Sequence, residues 1–172
     1  MSKKCVIITA PGFQDEEVVY PYYRLMEEGY SVEVATKDGV VVYGKYGVPA
    51  RATMATTDLK SANFDCVILP GGFEAPDRVR LLPEVQVFVR EMDEQKKLVA
   101  AICHGPWIMI SAKVCKGRKM TAFWSIEEDI RNSGADYQHK VPVVVDDNFI
   151  TSPHYNNNAD FMKSVVSYLN NK

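Results

Sequence analysis

The chain has 172 residues, 47% of them hydrophobic and 24% charged, with a formal net charge of −2 at pH 7. That length suits one domain spanning residues 1–172, and the charge balance excludes the basic face of a nucleic-acid-binding protein. The longest apolar run, Leu98–Cys103, is six residues, far below the roughly 18 a membrane helix needs; four cysteines without CxxC spacing and no signal-peptide pattern at the amino end point to a reduced protein of the cytoplasm with no membrane partner.

Cys5-Val6-Ile7-Ile8-Thr9 is a continuous apolar run, the pattern of a strand buried on both faces. Helical text follows to Gly29, with Pro21 either starting or kinking that helix. Ser31–Thr36 reads as a second strand and Val40–Met54 as an antiparallel excursion. Cys66–Leu69 is another buried strand, ended by Pro70-Gly71-Gly72. After Pro83, the residues Val85, Phe88, Val89 and Met92 form one apolar helical stripe. Leu98–Ile102 is the most hydrophobic strand, with a helix expected after it. Ser125 with Glu128 predicts a capping box for a short helix closed by Gly134. Val141–Val145 and Phe149–Thr151 form a hairpin around Asp146-Asp147-Asn148, and Asn158 is predicted to cap a last helix. Strands alternating with such helices imply βαβ units and a mostly parallel sheet, whose ligands sit at the carboxyl ends of its strands.

Three segments after strands carry unusual chemistry. Ala101-Ile102-Cys103-His104-Gly105-Pro106 has small residues two before and two after a thiol, as a nucleophile elbow requires. Helix N–H groups facing Cys103 would stabilise its thiolate; the alternative is a small buried hydrophobe, the role assigned to Cys5 and Cys66. His104 is a candidate base or orienter, or else a solvent-facing helix opener. The glycines Gly71 and Gly72 can converge backbone N–H groups on an oxyanion, or make an ordinary turn. Within Asp15-Glu16-Glu17, a carboxyl near the thiolate would have its pKa raised and stay protonated; from pattern alone, an acidic first turn complementing the helix dipole is favoured. His139 and His154 form no metal-ligand spacing, so no metal is expected. Gly71, Trp107, Trp124, His154 and Tyr155 are pocket candidates, although aromatics at such positions are often plain core. Lys113, Lys116, Arg118 and Lys119 read as a solvated turn.

The elbow hexapeptide resembles the signature of the DJ-1/PfpI superfamily, in its PfpI-like branch. Phe13-Gln14-Asp15-Glu16-Glu17, Tyr20-Pro21, Gly44-Lys45-Tyr46-Gly47, Leu69-Pro70-Gly71-Gly72, Ala75-Pro76-Asp77-Arg78 and Thr151-Ser152 match in order across nearly the whole chain. The resemblance implies an α/β, flavodoxin-like three-layer sandwich and a homo-oligomer, either a dimer or a hexamer. It further implies Cys103 as nucleophile, Glu17 as the protonated acid beside it, and His104 as catalytic histidine. The amides of Gly72 and His104 would form the oxyanion hole. Asp77, from a neighbouring subunit, stands where the branch places the acid partner of that histidine. Here the stretch from Gly72 carries one residue more than the archaeal peptidase-type pattern, and Asp77 is shorter than the usual Glu, so Glu74 is an alternative. After Thr151-Ser152, the segment Pro153–Asn158 departs from the usual Arg and Pro.

The expected activity is cofactor-independent conversion of a reactive carbonyl, free or on a glycated protein or peptide, to a hydroxy acid (glyoxalase III or deglycase-like). The alternatives are an intracellular cysteine peptidase, and a redox sensor or stress chaperone acting through oxidation of Cys103.

Overall fold

The computed structural model describes residues 2–172. In chain order, β1 (Lys4–Ile8) is followed by α1 (Asp15–Glu27) and β2 (Ser31–Thr36); the strands β3 (Val42–Tyr43) and β4 (Pro49–Ala50) then precede β5 (Met54–Ala55). Next come β6 (Cys66–Leu69), α2 (Glu74–Val79), α3 (Pro83–Glu94), β7 (Leu98–Ile102), α4 (Pro106–Ser111) and β8 (Lys119–Met120). The chain ends with α5 (Glu127–Asn132), β9 (Asp136–Tyr137), β10 (Val144–Asp146), β11 (Phe149–Ser152) and α6 (Asn158–Asn170).

The all-apolar runs occupy the middle of one sheet, ordered β10-β11-β7-β6-β1-β2-β5, where both faces are covered. Every pairing in it is parallel except the β10–β11 hairpin. Helices α1 and α6 pack together on one face, and α3 with α2 and α4 covers the other. This is the α/β sandwich expected from the strand–helix alternation. Cys5 and Cys66 face each other across β1 and β6 and are fully buried, as core residues. From β1 the chain turns to β2 on one side, then returns beyond β1 to build β6 and β7 on the other. The loops after β1 and β6 therefore diverge, and the crevice between them is where such a sheet exposes backbone N–H groups to a ligand.

Three local predictions give way to tertiary contacts. Of the two roles expected for Pro21, starting the first helix is excluded, because the helix begins at Asp15 and contains the proline. A proline has no N–H for the carbonyl four residues back, so the Glu17 carbonyl lacks its helical partner. Neither polar residue predicted as a cap performs that role. Asn158 uses its side-chain amide to donate to the Glu16 carbonyl at 3.0 Å, tying α6 to α1. Ser125 lies in a 3₁₀ turn, Trp124–Ile126, and α5 starts after Ile126 with no side-chain cap. Arg118 also departs from a solvated turn: its guanidinium lies 2.6 Å from Asp93 and over the Phe149 ring at 4.3 Å.

Asp15, in contrast, has a structural role its position on a helix did not reveal. Its buried carboxylate accepts from the Tyr46 and Val48 amides, each at 2.9 Å, clipping the β3–β4 excursion to α1. Charge-assisted bonds of this kind are worth about 1.5–3 kcal/mol each. Asp15→Ala should therefore lower stability by roughly 2–4 kcal/mol and raise amide exchange across residues 44–48; unchanged exchange there would refute this assignment.

Among the described residues, no helix is long and apolar enough to cross a membrane.

Candidate active site

At the end of β7 the chain must turn from strand to helix within a few residues. Cys103 sits at the apex with φ +61°, in the left-handed region, where a non-glycine residue carries roughly 1–3 kcal/mol of strain. Two backbone bonds hold it there: Cys103 N–H donates to the Ser152 carbonyl at 2.9 Å, and Phe123 N–H donates to the Cys103 carbonyl at 3.0 Å. The turn also depends on Gly105, because a Cβ there would overlap the Leu69 carbonyl oxygen of β6. The small residue predicted after the elbow, Gly105, is thus required by the close passage of β6.

Above the apex lies the β6 loop. The N–H groups of Gly72 and His104 both point at the Cys103 sulfur, forming the paired-donor arrangement expected of an oxyanion hole. Gly72 has φ +79°, and a Cβ there would meet the Gly12 carbonyl oxygen at 2.5 Å. Gly71, the other glycine of the expected turn, is a buried spacer: its Cβ position lies 2.5 Å from Glu17 Oε2 and 2.6 Å from Cys103 Cβ. Only glycine lets these two side chains close over the backbone.

Glu17 rises from the first turn of α1 into this site and is fully buried. Its Oε2 accepts from Gly71 N–H at 2.6 Å, it lies within hydrogen-bond reach of Cys103, and Oε1 is buried without a protein partner. Burial, only partly offset by the Gly71 bond, pushes its pKa to about 8. The carboxyl is therefore protonated at neutral pH, and Glu17 is the acid beside the sulfur, not a helix-dipole ornament.

The sulfur itself departs from expectation. Cys103 is only 7% exposed, and burial pushes its thiol up, with the Gly72 and His104 amides opposing. The α4 N-terminus does not make a standing thiolate here, because desolvation outweighs two amide dipoles. Deprotonation therefore depends on a base in contact with the sulfur.

His104 is in that position. Its Nδ1 lies 3.3 Å from Cys103 Sγ, and its Nε2 lies 3.2 Å from Ser125 Oγ. The ring stacks on Phe123 at 4.9 Å and meets the edge of Trp107 at 5.1 Å. Trp107 is anchored in turn by donating Nε1–H to Asp129 at 2.8 Å. Burial lowers the His104 pKa, with Asp129 opposing, so the ring is neutral at pH 7. Phe123 continues the aromatic wall to Trp124, at 3.8 Å, and His154, at 5.9 Å, which packs on Tyr155 at 4.0 Å. Trp124 is 61% exposed and, with His154, lines a groove of about 500 Å³. Those two aromatics, with the exposed Tyr155, are surface features and not core.

Neither acid expected to partner His104 reaches it within one chain. Asp77 is exposed on α2, and Glu74 pairs with Arg78 at 2.5 Å while covering Gly12. Ser125, Phe123 and Asp129 were missed as site residues. No spacing signal marks them, since each arrives from the 121–132 segment through tertiary packing. Among the described residues, no three His, Cys, Asp or Glu side chains gather into a metal-ligand set.

The chain is similar to known proteins over nearly its whole length. The family model described as "DJ-1/PfpI family" matches residues 3–168. The chain is 39% identical to Deglycase PfpI of Pyrococcus furiosus, over 96% of this chain and 99% of that protein. It is 37% identical to the putative cysteine protease YraA of Bacillus subtilis, over 88% of this chain and 89% of that one. Among solved structures it superposes, with a TM-score of 0.95 and 37% identity, on a two-domain protein of Anabaena variabilis containing DJ-1/ThiJ/PfpI-like and ferritin-like domains. That match covers 98% of this chain but only 48% of the larger protein. With the resemblance read from its motifs matched by a family model over nearly its full length, and with its flavodoxin-like sandwich in place, this chain belongs to the DJ-1/PfpI family.

Proposed function

We propose that this protein is a cysteine-dependent, cofactor-independent enzyme that converts reactive carbonyls, free methylglyoxal or its adducts on proteins, to hydroxy acids. One observation carries the reading: a buried carboxyl, protonated at neutral pH, touches the sulfur between two converging backbone amides. A peptidase has no evident use for a neutral carboxylic acid at its nucleophile. A reaction that moves hydrogen between adjacent carbons does. In attack, the Cys103 S–H proton passes to His104 Nδ1 while the sulfur bonds the aldehyde carbon, and the oxyanion is held by the Gly72 and His104 amides. That oxygen is then protonated, giving a hemithioacetal. Glu17 and His104 transfer a proton from the former aldehyde carbon to the neighbouring carbonyl carbon and adjust the protons on the oxygens, leaving a thioester. Water cleaves it, releasing lactate and restoring the thiol, with no net oxidation. The family relative named a deglycase supports this chemistry.

The relative named a putative cysteine protease favours amide hydrolysis by the same nucleophile. That reaction needs a histidine that holds a proton for the leaving amine, and His104 has no carboxylate partner within the chain. The proposal also includes a cytoplasmic homo-oligomer, for which the exposed Phe73 and Leu81 flanking α2 offer apolar surface beside Asp77.

Incubation with methylglyoxal, and separately with fluorogenic peptides, tests the two readings. Wild type should form lactate, and Cys103→Ala should form none beyond the uncatalysed background. Peptide cleavage without lactate would overturn the proposal.

A further inference from the structure

We propose that Ser125 is the positioning residue of His104, holding the ring in the in-plane orientation in which Nδ1 faces the Cys103 sulfur. The inference rests on the reading of Cys103 as nucleophile and His104 as its base. The ring is spanned end to end: Cys103 Sγ lies 3.3 Å from Nδ1 and Ser125 Oγ lies 3.2 Å from Nε2. A hydroxyl both donates and accepts, so Ser125 can bond Nε2 in either state of the neutral imidazole and in the imidazolium. In the tautomer that donates Nε2–H to the Ser125 oxygen, Nδ1 carries the lone pair that the thiol proton requires.

When the S–H bond breaks, its proton moves to Nδ1 and its electron pair forms the bond to the carbonyl carbon. The ring becomes an imidazolium, and Ser125 Oγ still accepts from Nε2–H. A hydroxyl serves both states without moving. A carboxylate there would hold the imidazolium tightly, whereas a neutral oxygen lets the proton be given back in later steps.

Stacking on Phe123 and the edge of Trp107 fixes the plane of the ring but not which atoms point where within it. Ser125 supplies that in-plane constraint. Its own position is firm: the 3₁₀ turn that carries it is closed by Ile126 N–H donating to the Phe123 carbonyl at 3.0 Å, and Ile126 is buried. The charged or titratable groups facing the ring from other elements are Cys103 with Glu17, Asp129 bonded to Trp107, Arg80 over the Trp107 ring and His154 beyond Phe123. All of them are retained when Ser125 is replaced.

The test uses the full chain with Ser125→Ala, Ser125→Thr and Asp77→Asn. Two readouts are taken: the pH dependence of Cys103 carbamidomethylation by iodoacetamide, located by mass, and kcat and KM with methylglyoxal. Ser125→Ala should lower kcat by about five-fold, the rate equivalent of one neutral hydrogen bond. KM should stay within about two-fold, a binding difference below 1 kcal/mol, and the alkylation profile should be displaced along pH. Ser125→Thr, which keeps the hydroxyl, should restore both. Because Ser125 is exposed, the alanine variant should unfold at the wild-type temperature. Wild-type kcat and an unmoved profile in Ser125→Ala would overturn the proposal. So would a displacement produced by Asp77→Asn with Ser125→Ala silent, which assigns the orienting role to a carboxylate of a second copy. Absence of lactate from the wild type would refute the carbonyl reading, while the alkylation profiles would still decide the role of Ser125.

Discussion

Glu17→Gln should cut dicarbonyl turnover by about 10²–10⁴-fold, the range associated with loss of a positioned proton-transfer group. The amide keeps the shape of the side chain and can still accept from Gly71 N–H, so the loss reports proton movement and not packing. The same variant has a second signature in stability. In the unfolded chain this carboxyl titrates near 4.5, and in the folded protein at about 8. Between those values the folded state holds a proton that the unfolded state has released. Its stabilising contribution is therefore complete below pH 4.5 and is lost as pH rises through 8. The span corresponds to an upper value on the order of 5 kcal/mol. Wild-type Tm should fall across this window, whereas the glutamine variant should hold a flatter profile and overtake wild type at its upper end. A wild type with no slope there, measured by thermal unfolding at fixed ionic strength, would show that Glu17 is ionised throughout.

Gly105→Ala is the second large effect, and it acts through the backbone. The added Cβ overlaps the Leu69 carbonyl oxygen and comes within 2.9 Å of the Ile102 carbonyl oxygen. Both atoms belong to central parallel strands whose positions are set by neighbours on each side, so neither can retreat cheaply. The expected cost is about 3 kcal/mol or more, or roughly 6–12 °C in Tm for a domain of this size. Because the loops after β6 and β7 carry the two amides that converge on the Cys103 sulfur, the variant should also lose most of its turnover at temperatures where it remains folded. A stable, active Gly105→Ala enzyme would contradict the close strand approach at the elbow.

Read from residues alone, the central strands were legible because runs such as Cys66–Leu69 and Leu98–Ile102 are apolar at every position, which only two-sided burial explains. The elbow was legible because its steric demand falls on local positions, Ala101 and Gly105. Glu17 was not, since three consecutive acids at a helix start look alike. Asp15 clips the β3–β4 hairpin, Glu16 faces solvent, and Glu17 enters the site. Helical rotation of about 100° per residue separates them, but its direction relative to the sheet is fixed only by packing. Motif resemblance supplied what periodicity did not.

The failures share one cause. Ser125 and Asn158 carry side chains suited to capping helices, and both bond elsewhere: Ser125 to His104 and Asn158 to the Glu16 carbonyl. The ionisation of Cys103 failed in the same way, because a local dipole argument omits the burial that reverses its sign.

By itself, the sequence determined the doubly covered sheet and the elbow with its cysteine, because hydrophobic period and small-residue spacing act over a few neighbouring positions. Only the tertiary structure decided which carboxyl is protonated, that the thiol is held high, and which oxygen faces the far side of His104. Those properties depend on desolvation and on contacts between segments remote in the chain, and no local pattern encodes them.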